Sequence, residues 1–326
     1  MNPNNRNAVP AIEAKGLVRT FGATRAVDGL HLTVERGEML GLVGPDGAGK
    51  TTTIRMLAGV LRPTDGSATV LGYDLVKERE HVKRRIGYFS QQFSLYGDLS
   101  VDENIEFFAQ IHDVRDFKDR REELLGFTRL TPFRTRLTDR LSGGMKQKLA
   151  LACTLIHKPD LIFLDEPTTG VDPVSRRDFW LILADLLRRG ITIVMATPYL
   201  DEAERCHRVA LIHEGRLMRA DRPHRIIGEL HGTMLEITCD RTHAAYSRLK
   251  SEPCWTGAQL FGERIHVLTK DDESEREALR KVIESVGAMR VEVRPIAPSL
   301  EDAFIELIAH SGSGTTVAPS SCSLGR

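Results

Sequence analysis

Apolar positions along the chain follow two rhythms. From Ile12 to about Glu229, short runs of aliphatic and β-branched residues alternate with segments of helical periodicity. The runs Met39 to Val43 (MLGLV), Leu161 to Asp165 (LIFLD) and Thr192 to Thr197 (TIVMAT) are apolar on both faces, the pattern of strands buried inside a parallel sheet. Helical patterns follow Gly49, span Val101 to His112, follow Gly143, and run from Ser175 to Arg188 after Asp172-Pro173. This alternation predicts an α/β layered fold. After about Leu230 the rhythm changes. Strand-like Met234 to Cys239, Ile265 to Leu268 and Arg290 to Val293 are interleaved with helix-like His243 to Leu249 and Ser274 to Val286. A last helix opens at Ser299, which has an acidic residue three positions on, a capping-box pattern. The expected organisation is a leading flexible segment 1–11, a large domain 12–229, a small α+β domain 230–310 and a disordered Ser/Gly/Thr-rich tail 311–326. The charged stretch from Lys270 to Lys281 reads as one solvated helix face.

Composition narrows the classes. The 326 residues suffice for two domains, and 41% hydrophobic with 28% charged residues suits a chain that buries a core. The 45 basic residues balance 45 acidic ones, so no global field draws the chain to nucleic acid or anionic lipid. Cys153, Cys206, Cys239, Cys254 and Cys322 form no CxxC pair and have no histidine at metal-ligand spacing, which fits a reducing compartment. The start lacks a signal-peptide pattern, and no apolar run approaches the roughly 18 residues of a membrane span. Any membrane role is expected to need another chain.

Three motifs carry chemistry. Gly44, Pro45, Asp46, Gly47, Ala48, Gly49, Lys50 and Thr51 match the phosphate-loop pattern between a predicted strand and a predicted helix. Glycines there turn backbone N–H groups towards phosphate oxygens, and the helix start adds partial positive charge. Lys50 is expected to reach the β- and γ-phosphates, Thr51 to hold Mg²⁺ and Thr52 to touch the α-phosphate. The apolar run Leu161 to Leu164 ends in Asp165, a candidate Mg²⁺ ligand, and Glu166, a candidate base for the attacking water. A second anion-binding helix start is offered by Ser142, Gly143 and Gly144 in LSGGM; read alone, that motif is equally a serine cap before a flexible turn.

Taken together and in this order, the phosphate loop, LSGGM and LDEP resemble the nucleotide-binding domain of the ABC ATPase superfamily. The resemblance implies an α/β P-loop NTPase with an antiparallel β subdomain, a RecA-like core and a helical subdomain, accompanied here by the small C-terminal α+β domain. It implies ATP and Mg²⁺ as cofactors, and a head-to-tail dimer in which the phosphate loop of one cassette faces the signature loop of another. One cassette is present, so the second comes from another chain, identical or not. Phe21, in Val18-Arg-Thr-Phe-Gly, aligns with the aromatic that stacks on adenine, although a half-buried strand aromatic looks the same. Gln91 resembles the glutamine that senses Mg²⁺ and water; Gln92 adjoins it, so that assignment can slip by one. Asp172 resembles the aspartate that communicates across the dimer, and is equally a helix cap.

The closest branch is that of ABC-2 type exporter ATPases similar to the daunorubicin-exporter group, on the segments Ala26-Val-Asp-Gly, Leu95 to Ile105 and Pro298 to Phe304. That branch implies a cytoplasmic, peripheral position on the inner membrane through permease subunits, with 93–108 as the docking surface, although residues such as Phe107 and Phe108 are more often core than contact. One position departs from the family: Pro198 stands where a switch histidine is expected and offers no donor to the γ-phosphate, so ATP hydrolysis is either slow or is served equally well by Glu166 and the signature loop with water filling the gap. Asp46 stands where asparagine is frequent. Two further readings share the ATPase motifs. One is a soluble ABC ATPase acting on nucleic acid or the ribosome, against which neutral charge and the absence of a second cassette or long coiled-coil insertion speak. The other is an ATP-binding regulator with little hydrolysis, motivated by Pro198.

Overall fold

The computed structural model describes residues 9–91, 95–255, 257–269 and 273–312. Gln92 and Phe93, the start of the charged stretch at 270–272, and the tail 313–326 lie outside the described residues, as do residues 1–8 of the leading segment. Ala11, at the end of that segment, is fully buried and accepts a hydrogen bond from Leu71 N at 2.7 Å. Two compact units divide between Ala220 and Asp221.

In the first unit, β1 (Ile12–Phe21) and β2 (Thr24–Val34) form an antiparallel hairpin, followed by β3 (Met39–Val43) and helix α1 (Lys50–Leu57). Next come β4 (Asp65–Val70), β5 (Tyr73–Asp74), α2 (Arg79–Arg85) and β6 (Ile86–Phe89). Helices α3 (Val101–Ile111), α4 (Phe117–Thr128) and α5 (Gly143–Leu155) form a helical group. The chain then returns through β7 (Leu161–Asp165), α6 (Pro173–Arg188), β8 (Thr192–Thr197), α7 (Leu200–Ala203), β9 (Arg208–His213) and β10 (Arg216–Asp221). One antiparallel sheet has the order β2-β1-β4-β5; a second sheet has the order β10-β9-β3-β8-β7-β6.

The second sheet places the site. β9, β3, β8, β7 and β6 pair in parallel, as the doubly apolar runs require. Register aligns their C-terminal ends: Val43 pairs with Thr197, Asp165 with Ala196, and Phe89 with Leu164. The residues that emerge next, Gly44, Pro198, Glu166 and Ser90, therefore stand in a row along one edge, where open α/β sheets bind ligands. Beneath them Leu40, Leu42, Phe163, Val194 and Ala196 are fully buried in a core shared with Ile54 and Leu57 of α1. Each fully buried aliphatic side chain contributes about 1.5–3 kcal/mol, which makes the row a rigid platform.

Helix starts follow their caps. Ser100 and Glu103 complete a reciprocal capping box on α3. Asn104, fully buried, donates to Tyr96 O and to Thr138 Oγ1, both at 2.9 Å, tying α3 to the segment before α5. Asp172 caps α6 by accepting from Val174 N and Ser175 N, and Pro173 occupies the first helical position where its missing N–H costs nothing.

The second unit contains α8 (Pro223–Gly228), β11 (Thr233–Thr238), α9 (Thr242–Lys250), β12 (Gln259–Phe261), β13 (Arg264–Thr269), α10 (Glu273–Glu284), β14 (Glu292–Ile296) and α11 (Leu300–Gly312). Its sheet, β12-β13-β11-β14, is antiparallel and covers a core of Leu235, Ile237, Leu249, Trp255, Ile265 and Leu279. The unit begins earlier than the change of rhythm suggests, because α8 packs on α11. The last strand is two to three residues later than Arg290 to Val293, and α11 continues to Gly312. Ser299 and Asp302 form the expected reciprocal cap.

That cap meets a charged cluster. Asp302 and Glu236 are buried, and His266 lies between them, with Nδ1 2.9 Å from Asp302 Oδ1 and Nε2 3.6 Å from Glu236 Oε2. Arg264 and Arg294 bond to Glu236, and Glu301 adjoins Asp302. The bond to Asp302 raises the His266 pKa against burial. Burial pushes Asp302 up, but His266 and Ser299 outweigh it and leave its pKa lowered. The histidine therefore stabilises fully below its unfolded pKa of about 6.5 and less as pH rises through its folded value. The aspartate stabilises fully above about 3.9 and less as pH falls through its folded value. Followed by the buried Trp255 in a Trp180→Phe background, the second unit should be most stable between those limits and lose stability as pH rises above about 6.5. His266→Ala should cost roughly 1–3 kcal/mol at pH 6 and flatten that alkaline slope; a slope that persists in the variant contradicts the assignment.

Candidate functional site

The loop from Gly44 to Gly49 turns tightly between β3 and α1. A side chain at Gly44 would strike the Ile212 carbonyl, and one at Gly49, whose φ is 101°, would strike the Ala26 carbonyl. Both glycines are thus required by close backbone approach. The turn Glu214-Gly215 braces the loop from outside: Gly215 N donates to Ala48 O at 3.0 Å, and Asp28 N of β2 donates to Gly215 O at 2.8 Å.

Lys50 opens α1 and is only 4% exposed. Its Nζ donates to Gly44 O at 2.8 Å and Pro45 O at 3.0 Å, so the ammonium lies within the loop. Burial lowers its pKa, while Glu166, Asp46 and Asp165 push back. Asp46 projects into solvent and keeps a carboxylate oxygen 4.0 Å from Nζ. Thr52, the next residue but one, is half-buried at the same helix start.

Asp165 ends β7 with no solvent exposure. Oδ1 accepts from Thr51 Oγ1 at 2.8 Å, across the intervening strand β8, and the buried Oδ2 has no hydrogen-bond partner. Burial raises the Asp165 pKa, opposed by Thr51, Arg55, Lys50 and Tyr88. A buried carboxylate oxygen without a partner, beside a threonine hydroxyl and a lysine, is a donor set that suits a hard divalent cation together with phosphate.

Glu166 follows with φ of 51°, uncommon for a residue with a side chain. Its N–H still reaches across to Ala196 O at 3.0 Å, so the chain turns out of the sheet without losing that bond. Glu166 Oε2 accepts from Gln91 Nε2 at 3.0 Å and from Thr169 Oγ1 at 3.4 Å. Gln91 thus stands beside the carboxylate at the end of β6 and keeps its amide oxygen for another partner.

The structure therefore joins Lys50, Thr51, Asp165, Glu166 and Gln91 in one cluster. Among the described residues, no hydrogen bond or ion pair links this cluster to Ser142, Gly143 or Gly144. Ser142 caps α5 by accepting from Met145 N at 3.3 Å, and a side chain at Gly144 would strike Ser175 on α6. Phe21, 46% exposed, lies on the hairpin whose Ala26 abuts the loop, and the Arg19 guanidinium covers its ring at 4.4 Å. Tyr96, Phe107 and Phe108 form an edge-to-face aromatic group at α3, with Tyr96 45% exposed.

Several participants went unnoticed in the sequence. Arg19 was findable by strand alternation, two residues from Phe21. Tyr88, on the neighbouring strand β6, and Arg55, on α1, were not, because nothing in a strand or helix interior marks which residue faces a strand tip far along the chain.

Comparison with known proteins agrees with this geometry. A family model described as ABC transporter matches residues 27–169. The probable multidrug ABC transporter ATP-binding protein YbhF of Escherichia coli K12 is 39% identical over 298 residues, covering 90% of this chain; the chain spans 50% of that relative. The daunorubicin/doxorubicin resistance ATP-binding protein DrrA of Streptomyces peucetius is 37% identical over 318 residues, 94% of each chain. The Nod factor export ATP-binding protein I of Rhizobium sp. N33 is 37% identical over 301 residues, 91% of this chain and 96% of the relative. Among solved structures, an ATP-binding subunit of an ABC transporter superposes with a TM-score of 0.61 at 29% identity, covering 67% of this chain and 92% of its own. A dimeric cassette in a post-hydrolysis state bound to ADP and phosphate gives 0.59 at 25%, covering 65% and 98%. The chain belongs to the ABC transporter family, as one of its ATP-binding proteins.

Proposed function

We propose that this chain binds Mg-ATP and hydrolyses it as the nucleotide-binding subunit of an ABC-2 type exporter, driving efflux of a small molecule through separate permease subunits. The observation that carries the reading is the single row in which Lys50, Thr51, Asp165, Glu166 and Gln91 meet at the strand ends. The names of the drug-resistance and Nod factor export relatives, two of which match over nearly their whole length, support export. No helix among the described residues is long and apolar enough to cross a membrane, which fits a peripheral subunit at the cytoplasmic face.

In this reading the loop N–H groups and Lys50 bind the phosphates, Thr52 contacts the α-phosphate, and Phe21 stacks on adenine. Thr51, Asp165 and the amide oxygen of Gln91 would hold Mg²⁺, which would supply charge neutralisation to the phosphates. Glu166 positions the attacking water and takes its proton. Ser142, Gly143 and Gly144 lie apart from this cluster, in keeping with their completing the nucleotide site of a second cassette. The aromatic group of Tyr96, Phe107 and Phe108 belongs to the surface facing the permease.

Pro198 favours a secondary reading of slow turnover. It follows Thr197 in the strand-end row and carries no donor for charge that develops on the γ-phosphate or water.

Glu166→Gln keeps the hydrogen-bonding shape and removes the base, so turnover should fall about 100-fold or more while Mg-ATP affinity measured by fluorescence titration stays close to that of the native chain. Pro198→His should raise turnover several-fold in the assembled complex; unchanged turnover with intact nucleotide binding opposes the slow-site reading. Purified protein assayed with and without ABC-2 permease subunits tests the function itself. Stimulation by the permease is expected, whereas stimulation by nucleic acid alone, or tight binding with no turnover under either condition, contradicts it.

A further inference from the structure

Glu202 lies on the short helix α7, in a run of acidic residues after Pro198, and is 1% exposed. Its two carboxylate oxygens are divided between a loop and a strand end. Oε1 accepts from Thr168 Oγ1 at 2.7 Å, in the segment between Glu166 and Asp172; Oε2 accepts from Thr197 Oγ1 at 3.0 Å, immediately before Pro198. Arg176, one turn into α6, approaches Oε1 at 3.6 Å and lies over the Tyr199 ring at 5.0 Å. Thr197 Oγ1 also accepts from Tyr199 N at 3.1 Å, and Arg176 N bonds back to Asp172 O at 2.9 Å.

We infer that Glu202 is a positioning residue that makes the segment 197–202, from the end of β8 into α7, and the loop 166–172 a single mechanical element, and that it acts on turnover rather than on nucleotide affinity. Glu166 is held by the end of β8 and by the loop 166–172. Its N–H bonds to Ala196 O, just before Thr197, and its Oε2 receives the hydroxyl of Thr169, next to Thr168. A buried carboxylate only accepts hydrogen bonds, so Thr168 and Thr197 must both donate to it, which fixes two hydroxyl rotors and the backbones that carry them. Lys50 and Thr51 take no part in the network, so the phosphate-binding loop does not depend on it. Proline at position 198 adds no side-chain donor there, and the hydrogen bonds on Glu202 link the two segments through side chains. The inference rests on Glu166 acting in hydrolysis, through the residues that orient it.

The test uses the full chain with Thr168→Val, which removes one hydroxyl at constant shape, Thr168→Ser, which restores it, and Thr197→Val. Thr168→Val and Thr197→Val should each lower kcat about tenfold, with Mg-ATP affinity and KM within about twofold of the native chain. Thr168→Ser should recover most of the loss, and the double variant should be little worse than either single one. Native kcat in Thr168→Val, or kcat and affinity falling together, overturns the inference. Hydrogen exchange tests it independently of turnover: Thr168→Val should speed exchange in 197–204 as well as in 166–176, and a change confined to 166–176 overturns it. A native chain that binds ATP without hydrolysing it defeats the proposed function, while the exchange result still decides whether the two segments are one element.

Discussion

The site depends on one buried carboxylate. Asp165 sits at the tip of a fully buried strand, with one oxygen held by Thr51 from two strands away and the other without a hydrogen-bond partner. A carboxylate in that setting is costly to keep ionised, and its raised pKa reflects the cost. Its neighbours Lys50 and Arg55 oppose that cost, and a cation bound to the free oxygen would remove most of it. The parallel register decides that these groups meet at all: a shift of one residue between β7 and β8 would turn Asp165 to the other face of the sheet, separating it from Thr51.

Around this fixed point the remaining elements are adjustable. Glu166 leaves the sheet with a positive φ, kept there by the Ala196 carbonyl on one side and by Gln91 and Thr169 on the other. Strain of this kind costs roughly 1–3 kcal/mol and persists only where its surroundings impose it. The surroundings here are a strand end and a loop, whose hydroxyls converge on Glu202. The phosphate-loop groups Lys50 and Thr51 thus stand at the start of α1, whereas Glu166 stands between the end of β8 and the loop that carries Thr168 and Thr169.

Much of this was legible in the chain because the constraints are local. Gly44 and Gly49 are glycines because the carbonyls of Ile212 and Ala26 leave no room for a side chain, and that necessity is written as a short motif. The runs ending at Val43, Asp165 and Thr197 are apolar throughout because both faces are covered, so their strand state and the exposed position of the residues after them could be read together. The caps at Asp172 and Ser299 were legible for the same reason. Contacts between distant segments were not. The acidic run containing Glu202 looks like a solvated helix start, and only the fold shows one of its carboxylates fully buried between two threonines. Tyr88 and Arg55 are hidden in the same way, and α8 continues the first unit's rhythm in sequence while packing in the second.

The most direct measurement is the magnesium dependence of ATP affinity in the native chain and in Asp165→Asn, by calorimetry with and without the metal. The account predicts that Mg²⁺ tightens ATP binding to the native chain about tenfold or more, and that Asp165→Asn, with the loop intact, retains metal-free affinity and loses this enhancement. Equal ATP affinity with and without Mg²⁺ in the native chain, or an enhancement undiminished in Asp165→Asn, would contradict it.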